Sequence, residues 1–444
     1  MARSFRALLL FTIVAASYAW QWALGRILGG ILSSWVAQRW VAVHERNARR
    51  LARGFIRLRG VYIKLGQVLS VLGTFLPKAY AEHLEQLQDA VPPRPFHEVE
   101  QRLREAFGDD ALSRFATFEQ TPIAAASLAQ VHRAQTKEGQ QVAVKILYPD
   151  IELTIARDLA VLRLLLPVAR FFVLVSKFER VVDQLEAMLK RETDYQHERA
   201  NLERVRTLLG DRTDVVLPQV IDHLSAGNVL TLSFEAGDKI SDLAALKAHG
   251  ISSTAVARIL VDCYVTMLLE YRVFHADPHP GNFLVQPGPK LVMLDFGAVE
   301  EVTVPLAEGM KTVVMGGLTR NPDLVLRGIE MMGFVAEHGD RDLLQQVGQE
   351  YLRTLAEVKI RNFANIDRDT TMQLSGFHQL RGRMRNVMRS VQYPEGYFYV
   401  ERTLALLFGL VGQLAPEEGL PGLAAPLASR VLLKELAKLP KPPT

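Results

Sequence analysis

The segment His275–Gly297 restricts the possible folds of this 444-residue chain more than any other part of the sequence. It reads HADPHPGNFLVQPGPKLVMLDFG, and two short apolar runs, Asn282–Val285 and Leu291–Leu294, stand on either side of a Pro-Gly-Pro turn. Apolar runs of this length around a tight turn predict a β-hairpin.

Three side chains with oxygen ligands meet at one end of that predicted hairpin. Asp277 and Asn282 lie where the chain enters it, and Asp295 lies where the chain leaves it. Carboxylate and amide oxygens suit Mg²⁺, which keeps several waters and binds substrate phosphates. A transition-metal site that includes His275 and His279 is a weaker alternative, because the prolines between them oppose a regular strand.

The spacing of these residues matches the protein-kinase template, in which a catalytic Asp precedes an Asn by five positions and a later D-F-G binds metal. Asn282 follows Asp277 by five positions, and Asp295 opens a D-F-G one hairpin later. The triplet alone is weak evidence, whereas the triplet joined to the spaced Asp and Asn is strong. The pattern predicts Asp277 as the catalytic residue and Asn282 and Asp295 as Mg²⁺ ligands.

A lysine within an apolar strand adds a phosphate-binding candidate upstream. The run Val142–Ile146 is strand-like by its β-branched content, and Lys145 follows V-A-V, close to the V-A-I-K signature of kinases. A lysine in such a strand is costly without an anion. Its alternative interpretation is a snorkelling lysine on an edge strand. We predict that Lys145 binds nucleotide phosphate and is catalytic.

The acidic partner of this lysine is predicted on a charged helix that runs from about Phe178 to Leu209. Glu192 falls on the apolar stripe of that helix, which is typical of a buried, paired carboxylate. Glu186 lies at the flank of the stripe and is the other candidate, and Asp194 projects elsewhere. The sequence leaves open which glutamate pairs with Lys145.

The glycine-rich loop of protein kinases is missing, and an alanine-rich loop stands in its place. No G-x-G-x-x-G precedes Lys145, and no P-loop motif occurs. No A-P-E lies close behind Gly297, since that triplet appears only at 415–417, so a P-loop NTPase and an ordinary protein kinase are disfavoured. Backbone amides of the alanine loop, with the following hydroxyl, remain able to contact phosphate. The predicted nucleotide-binding residues are Ala124, Ala125, Ala126, Ser127, Lys145, Glu186 and Glu235.

The N-terminal region carries an apolar stretch followed by a basic one. The 18 residues Ala7–Leu24 contain no charge, with Trp20 and Trp22 near one end. This length falls just short of the ~20 residues of a spanning helix. A membrane anchor with the body of the chain on the cytoplasmic side is favoured over a helix packed on the protein and over a cleaved signal peptide. The arginines that follow are Arg39, Arg46, Arg49, Arg50, Arg53, Arg57 and Arg59.

This basic stretch predicts an anionic surface as partner or, equally, a solvated helix face. Nucleic acid is disfavoured, since no aromatic platform or zinc finger accompanies the arginines. A single cysteine, Cys263, excludes an intramolecular disulfide framework. With 49% hydrophobic and 23% charged residues, the chain has the composition of a globular protein.

Together these motifs resemble the UbiB/AarF family of atypical kinase-like proteins, which is linked to ubiquinone biosynthesis. The resemblance covers about Arg59 to Glu417, and it includes the alanine-rich loop. The family's K-x-G-Q and E-x-D motifs correspond to residues Lys64, Gly66, Gln67, Glu192 and Asp194, which the resemblance implies are regulatory. In the family, the helix with K-x-G-Q covers the site where a protein kinase would receive a peptide. Lys64 is expected to pair with Glu192 or Asp194.

The resemblance implies a kinase-like enzyme that uses ATP and Mg²⁺, either as an ATPase or as a kinase of a small or lipid-like substrate. It also implies membrane association, a lipid or quinone-precursor ligand, and partners among ubiquinone-biosynthetic enzymes. A non-catalytic, nucleotide-gated scaffold or a lipid-binding protein is the alternative.

The expected fold is α+β and protein-kinase-like, with two lobes, a helical N-terminal extension and a larger lobe that is mostly α. The predicted segments are a hydrophobic N-terminal segment 1–36, a helical extension 37–116, an N-lobe 117–237 and a helical C-lobe with its tail 238–444.

Overall fold

A computed structural model describes residues 2–28, 33–71, 77–85, 87, 93–172, 178–319, 321–335, 394 and 396–438. The chain divides into two compact units. The first comprises Met1–Arg199 and Gln219–Phe234, and the second comprises Ala200–Pro218 and Glu235–Thr444. The first unit therefore contains both the predicted extension and the predicted sheet.

The first unit combines helices with one antiparallel sheet. Its helices are α1 (Ala2–Leu28), α2 (Ser33–Leu58), α3 (Val61–Val71), α4 (Lys78–Glu85), α5 (Phe96–Phe107), α6 (Ile151–Phe172), α7 (Phe178–Glu192) and the start of α8 (Tyr195–Leu209). Its strands are β1 (Phe115–Ala125), β2 (Ala129–Thr136), β3 (Gln141–Leu147) and β5 (Val229–Ser233), in the order β1-β2-β3-β5.

Strand β3 shows how the apolar pattern builds this sheet. Val142, Val144 and Ile146 alternate along the strand and lie in a buried cluster with Leu103 of α5. Lys145 points to the other face by the same alternation, opposite Val131 on β2 and Leu230 on β5. Because β3 has a neighbour on both sides, the interpretation of Lys145 as an edge-strand lysine is wrong.

The predicted single helix from Phe178 to Leu209 is also wrong, because the chain breaks between α7 and α8. Asp194 is the residue that starts the second helix: its Oδ1 accepts hydrogen bonds from the backbone N–H of Gln196 at 3.0 Å and of His197 at 3.3 Å. Aspartate is a preferred cap because it satisfies amides that have no partner in the first turn.

The second unit is mainly helical, with short strands. Its helices are the end of α8, α9 (Leu243–Ala248), α10 (Ser253–Thr266), α11 (Val304–Leu318), α12 (Pro322–Met331), α13 (Tyr397–Leu414) and α14 (Gly419–Lys438). Its strands are β4 (Val215–Val216), β6 (Asp238–Lys239), β7 (Val273–His275), β8 (Phe283–Gln286), β9 (Lys290–Met293) and β10 (Val299–Glu301).

The hairpin predicted between Asn282 and Leu294 is confirmed as β8 and β9. Phe283 pairs with Met293 and Gln286 pairs with Lys290, so the register closes on the predicted turn. The strands are ordered β4-β9-β8-β6, and β7 and β10 form a separate antiparallel pair. This register brings the start of β8 and the end of β9 to the same end of the hairpin.

Among the described residues, one helix, Arg3–Leu28, is long and apolar enough to cross a membrane by length and composition. The bent pair of Tyr397–Leu414 and Gly419–Val431 passes the same criterion when its two helices are taken together, with 109° between them.

Candidate active-site residues

Lys145 forms an ion pair with Glu198 in the first unit. Its Nζ lies 2.8 Å from both carboxylate oxygens of Glu198, which is buried with 3% of its side chain exposed. The ammonium also lies 5.3 Å from the ring centroid of Tyr195, within cation–π range. The β3 register and the first turn of α8 thus hold a lysine and a glutamate together, as the costs of burying either charge alone require.

The glutamate that pairs with Lys145 is therefore neither of the two predicted. Glu186 lies on α7 and contacts Lys190 at 2.9 Å and also Arg163. Hydrogen bonding from Lys190, opposed by partial burial and assisted by the Arg163 charge, lowers the pKa of Glu186. Glu198 was missed because one continuous helix was expected. The signal for the break was Asp194, a residue type that caps helices, within the charged run.

Glu192, at the end of α7, pairs with Lys64 of α3. The distance from Lys64 Nζ to Glu192 Oε1 is 2.6 Å, and both side chains are partly buried. Of the two acids expected for Lys64, the structure selects Glu192, while Asp194 caps α8. The K-x-G-Q and E-x-D motifs are thereby joined within one unit.

Gly66, the glycine of the K-x-G-Q motif, lies where α3 packs closely against Phe55 of α2 and against Leu87. A Cβ atom on Gly66 would stand 2.2 Å from Cδ1 of Leu87 and 3.0 Å from the Phe55 ring. Only glycine fits this contact without movement of buried neighbours. The side chain of Gln67 lies outside the described residues.

The alanine-rich segment covers the end of β1, where Ala124 and Ala125 pair with β2, and the turn that begins at Ala126. The amide of Ala126 donates to the carbonyl of Ala129 at 2.8 Å, which closes the turn. Ala124 and Ala126 are exposed, and Ala125 is half-buried. Ser127 is buried, with 4% exposed, so the backbone of the exposed turn is the better candidate for contact with phosphate. Glu235 follows β5 and is half-buried. It belongs to the second unit, as the first residue of the range Glu235–Thr444.

The second unit holds the oxygen ligands predicted for Mg²⁺. Asn282 Nδ2 donates to the carbonyl oxygen of Asp277 at 2.9 Å, which leaves the amide oxygen of Asn282 as the acceptor. Asp295 Oδ1 accepts from the amide of Gly297 at 2.9 Å. The amide of Leu294 donates to the Asn282 carbonyl at 3.0 Å, so the two predicted ligands flank the same end of the hairpin.

This donor set fits Mg²⁺, which binds through one or two protein oxygens and completes its shell with water and phosphate. Among the described residues, no group of three or more His, Cys, Asp and Glu side chains could hold a metal ion. The alternative transition-metal site at His275 is therefore wrong. His275 instead binds Tyr264 Oη through Nδ1 at 3.2 Å and the Asp295 carbonyl through Nε2. It supports the first residue of D-F-G, and its ring is buried.

Asp277 has a partner that the sequence did not indicate. Arg402 of α13 donates from Nη2 to Asp277 Oδ1 at 2.7 Å, and both side chains are partly buried. A charge-assisted bond of this length fixes the carboxylate direction. Asn201 of α8 supports the D-F-G segment, since its Nδ2 donates to the carbonyl of Phe296 at 2.9 Å.

Comparison with known proteins gives one family match and several relatives. Residues 86–327 match the family model of the ABC1 atypical kinase-like domain. The chain is 32% identical over 320 residues to "Protein ACTIVITY OF BC1 COMPLEX KINASE 8, chloroplastic" of Arabidopsis thaliana, over 70% of this chain and 42% of that protein. It is 33% identical over 266 residues to AarF domain-containing protein kinase 1 of Xenopus laevis, over 59% of this chain and 51% of that protein. The chain thus spans about half the length of the curated relatives it matches.

A solved structure is similar in fold. The complex of Rv3197 with erythromycin from Mycobacterium tuberculosis matches with a TM-score of 0.54 at 24% identity, over 87% of this chain and 99% of that chain. The predicted α+β kinase-like fold is confirmed by the family match together with this likeness, which at such identity bears on the fold alone.

Proposed function

This chain belongs to the ABC1 atypical kinase-like family, also described as UbiB/AarF, and from that premise we propose that it binds ATP with Mg²⁺ and turns it over. The reaction is either ATP hydrolysis or phosphorylation of a small or lipid-like acceptor. It takes place at the cytoplasmic face of a membrane, in support of ubiquinone (isoprenoid quinone) biosynthesis and together with enzymes of that pathway.

The observation that carries the proposal is the ion pair of Lys145 and Glu198. A lysine on a central strand, held by both oxygens of a buried helix glutamate, is the arrangement with which kinases orient ATP phosphates. Glu198 fixes the position of the Lys145 ammonium within the first unit, and we assign this ammonium to a phosphate oxygen of ATP. The junction of β1 and the following turn, at Ala124–Ala126, is a second candidate for phosphate contact.

The second unit supplies the other proposed roles. Asn282 and Asp295 would hold Mg²⁺, which neutralises the charge of phosphate oxygens when bound. Asp277 orients the attacking hydroxyl or water and accepts its proton, and Arg402 holds one oxygen of that carboxylate in place. Peptide phosphorylation is not proposed, because the sequence lacks the glycine-rich loop and has no A-P-E close behind D-F-G, where the activation segment of a protein kinase ends.

The test is phosphate release from ATP by the full chain, with Mg²⁺ or with EDTA, and with or without anionic vesicles. We expect Mg²⁺-dependent turnover that is lost in Asp295→Asn and kept in Asp211→Asn, an exposed aspartate of the same unit. Nucleotide binding without turnover under every condition would instead support the nucleotide-gated scaffold. Failure to bind ATP would refute the proposal.

A further inference from the structure

Helix α1 is joined to the rest of the first unit by contacts that run from Arg3 to Gln21. Near its start, Arg3 pairs with the buried Asp158 of α6 at 2.6 Å and also donates to the backbone at the end of α2. Near its end, Gln21 Nε2 donates to the Val36 carbonyl at the start of α2, at 3.3 Å. These contacts show that α1 runs antiparallel to α2 within one compact unit.

Polar contacts continue between these two ends. Asn47 of α2 donates to the Ser17 hydroxyl at 2.5 Å. The Tyr18 hydroxyl lies 2.8 Å from Nδ1 of His44 on α2 and 2.6 Å from the Tyr80 hydroxyl on α4. One side of α1 therefore binds protein through polar groups, which a helix surrounded by lipid cannot do.

The opposite side of α1 is apolar and exposed. Its exposed large side chains are Phe5, Leu9, Ile13, Trp20, Trp22 and Ile27, of which Ile27 is 73% exposed. Phe5, Leu9, Ile13, Trp20 and Ile27 recur at helical spacing, Trp22 lies apart from that line, and only 11% of the apolar window is buried. We call these residues the apolar stripe.

A row of arginines on α2 accompanies the apolar stripe. Arg46, Arg49, Arg53 and Arg57 follow one another at three- and four-residue spacing and are exposed. Arg49 pairs with Glu45, whereas Arg46, Arg53 and Arg57 have no ion-pair partner within the described part of the chain. An unneutralised arginine row beside exposed apolar side chains is complementary to an anionic membrane surface.

The stripe and the row meet in a groove of about 320 Å³ between α1 and α2. Leu9 and Ile13 line its apolar part, and the guanidinium-bearing residues Arg6 and Arg57 line the same groove. Neither arginine has an ion-pair partner within the described ranges. A groove with an apolar wall and two arginines has the chemistry of a phospholipid site: a phosphate next to an acyl chain.

We propose that α1 and α2 lie flat on an anionic bilayer, with the apolar stripe inserted and the groove between them occupied by one anionic phospholipid. A spanning α1 would have to leave α2, α4 and α6 or take the arginine row into hydrocarbon, which is strongly unfavourable. The inference deepens the membrane association that the proposed function assigns, yet it involves no residue assigned to ATP.

Vesicle flotation of the full chain tests the lipid surface. Vesicles of phosphatidylcholine with 30% phosphatidylglycerol are compared with phosphatidylcholine alone. With Arg53→Gln and Arg57→Gln together, partitioning to the anionic vesicles is expected to fall on the order of 30-fold. The control, Arg204→Gln with Arg258→Gln, removes two exposed arginines of the second unit and is expected to bind as wild type. Equal losses in both double variants would refute the site and leave only a general charge effect.

Membrane topology is tested by the position of the N-terminal end. Because Arg3 is paired with Asp158, Ser4 stays on the side of the bilayer where the first unit lies. In Ser4→Cys bound to sealed vesicles, a membrane-impermeant maleimide added outside is expected to label the introduced thiol fully. Protection until detergent is added would show a spanning α1 and refute the proposal. Neither result depends on ATP turnover, so this proposal and the proposed function can fail separately.

Discussion

Arg402 and Asp277 form an ion pair although 125 residues separate them in the sequence. Arg402 is on α13, whose residues Val400, Thr403 and Leu407 are buried. Because these side chains fix the helix in the second unit, the Arg402 guanidinium has a defined position. The bond occupies Oδ1 of Asp277, and the contact of Oδ2 with Asn282 Nδ2 is long at 3.5 Å. One oxygen of the proposed catalytic carboxylate is thus held and the other is weakly engaged.

The first prediction concerns this pair. In Arg402→Gln, the carboxylate of Asp277 loses its charged donor and its orientation, so ATP turnover is expected to fall by about 10- to 100-fold. ATP affinity is expected to stay as in wild type, because Arg402 is not assigned to the nucleotide. Arg258→Gln is the control, since Arg258 is an exposed arginine of the same unit that pairs with Glu418. Turnover that rises in Arg402→Gln would show that the pair restrains Asp277 instead of positioning it.

The second prediction separates Glu198 from Glu186. Glu198→Gln removes the charge that holds Lys145, so ATP affinity is expected to fall about tenfold and the free energy of unfolding by about 2 kcal/mol. Glu186→Gln is the matched control, because Glu186 contacts Arg163 and Lys190 near the surface. Titration with a fluorescent ATP analogue and urea unfolding measure the two effects. Equal effects of both substitutions would contradict the assignment of Glu198.

The third prediction tests the contact between the two family motifs. Lys64→Ala and Glu192→Ala each break the 2.6 Å pair. The double variant is therefore expected to lose no more free energy of unfolding than the less stable single variant. The coupling in the free energy of unfolding is expected to be about 1 kcal/mol. Turnover and phosphotransfer should change by the same factor in all three variants. Additive effects would show that Lys64 and Glu192 act separately.

Much of the local structure could be predicted from the sequence. The hairpin of β8 and β9 and the strands around Lys145 depend on alternation and turn residues that lie within a few positions of one another. The kinase-like fold could be predicted because the spacing of Asp277, Asn282 and Asp295 can be read within one short stretch of the sequence.

The partners of the charged residues could not be predicted in the same way. Glu198 was missed because a two-residue break at Thr193–Asp194 changes which helix face the following residues occupy. Arg402 was missed because nothing in α13 itself marks a contact with a loop 125 positions earlier. Periodicity gives the face of each element, whereas ion pairs depend on how the elements pack.

The last prediction concerns Cys263, the single cysteine, which lies in α10 and is fully buried. Burial raises the pKa of its thiol from an ordinary value of 9.0 to about 12. At pH 8 about one thiol in 10⁴ is therefore ionised, so iodoacetamide should alkylate the native chain about 1,000-fold more slowly than the chain in urea. Since the folded pKa lies above the unfolded one, the neutral thiol stabilises the fold below pH 9, and this contribution is lost as the pH rises toward 12. Mass spectrometry of the alkylated protein measures the rate, with Ser4→Cys as the positive control for an accessible thiol. Fast modification of Cys263 in the native chain at pH 8 would contradict the burial of α10.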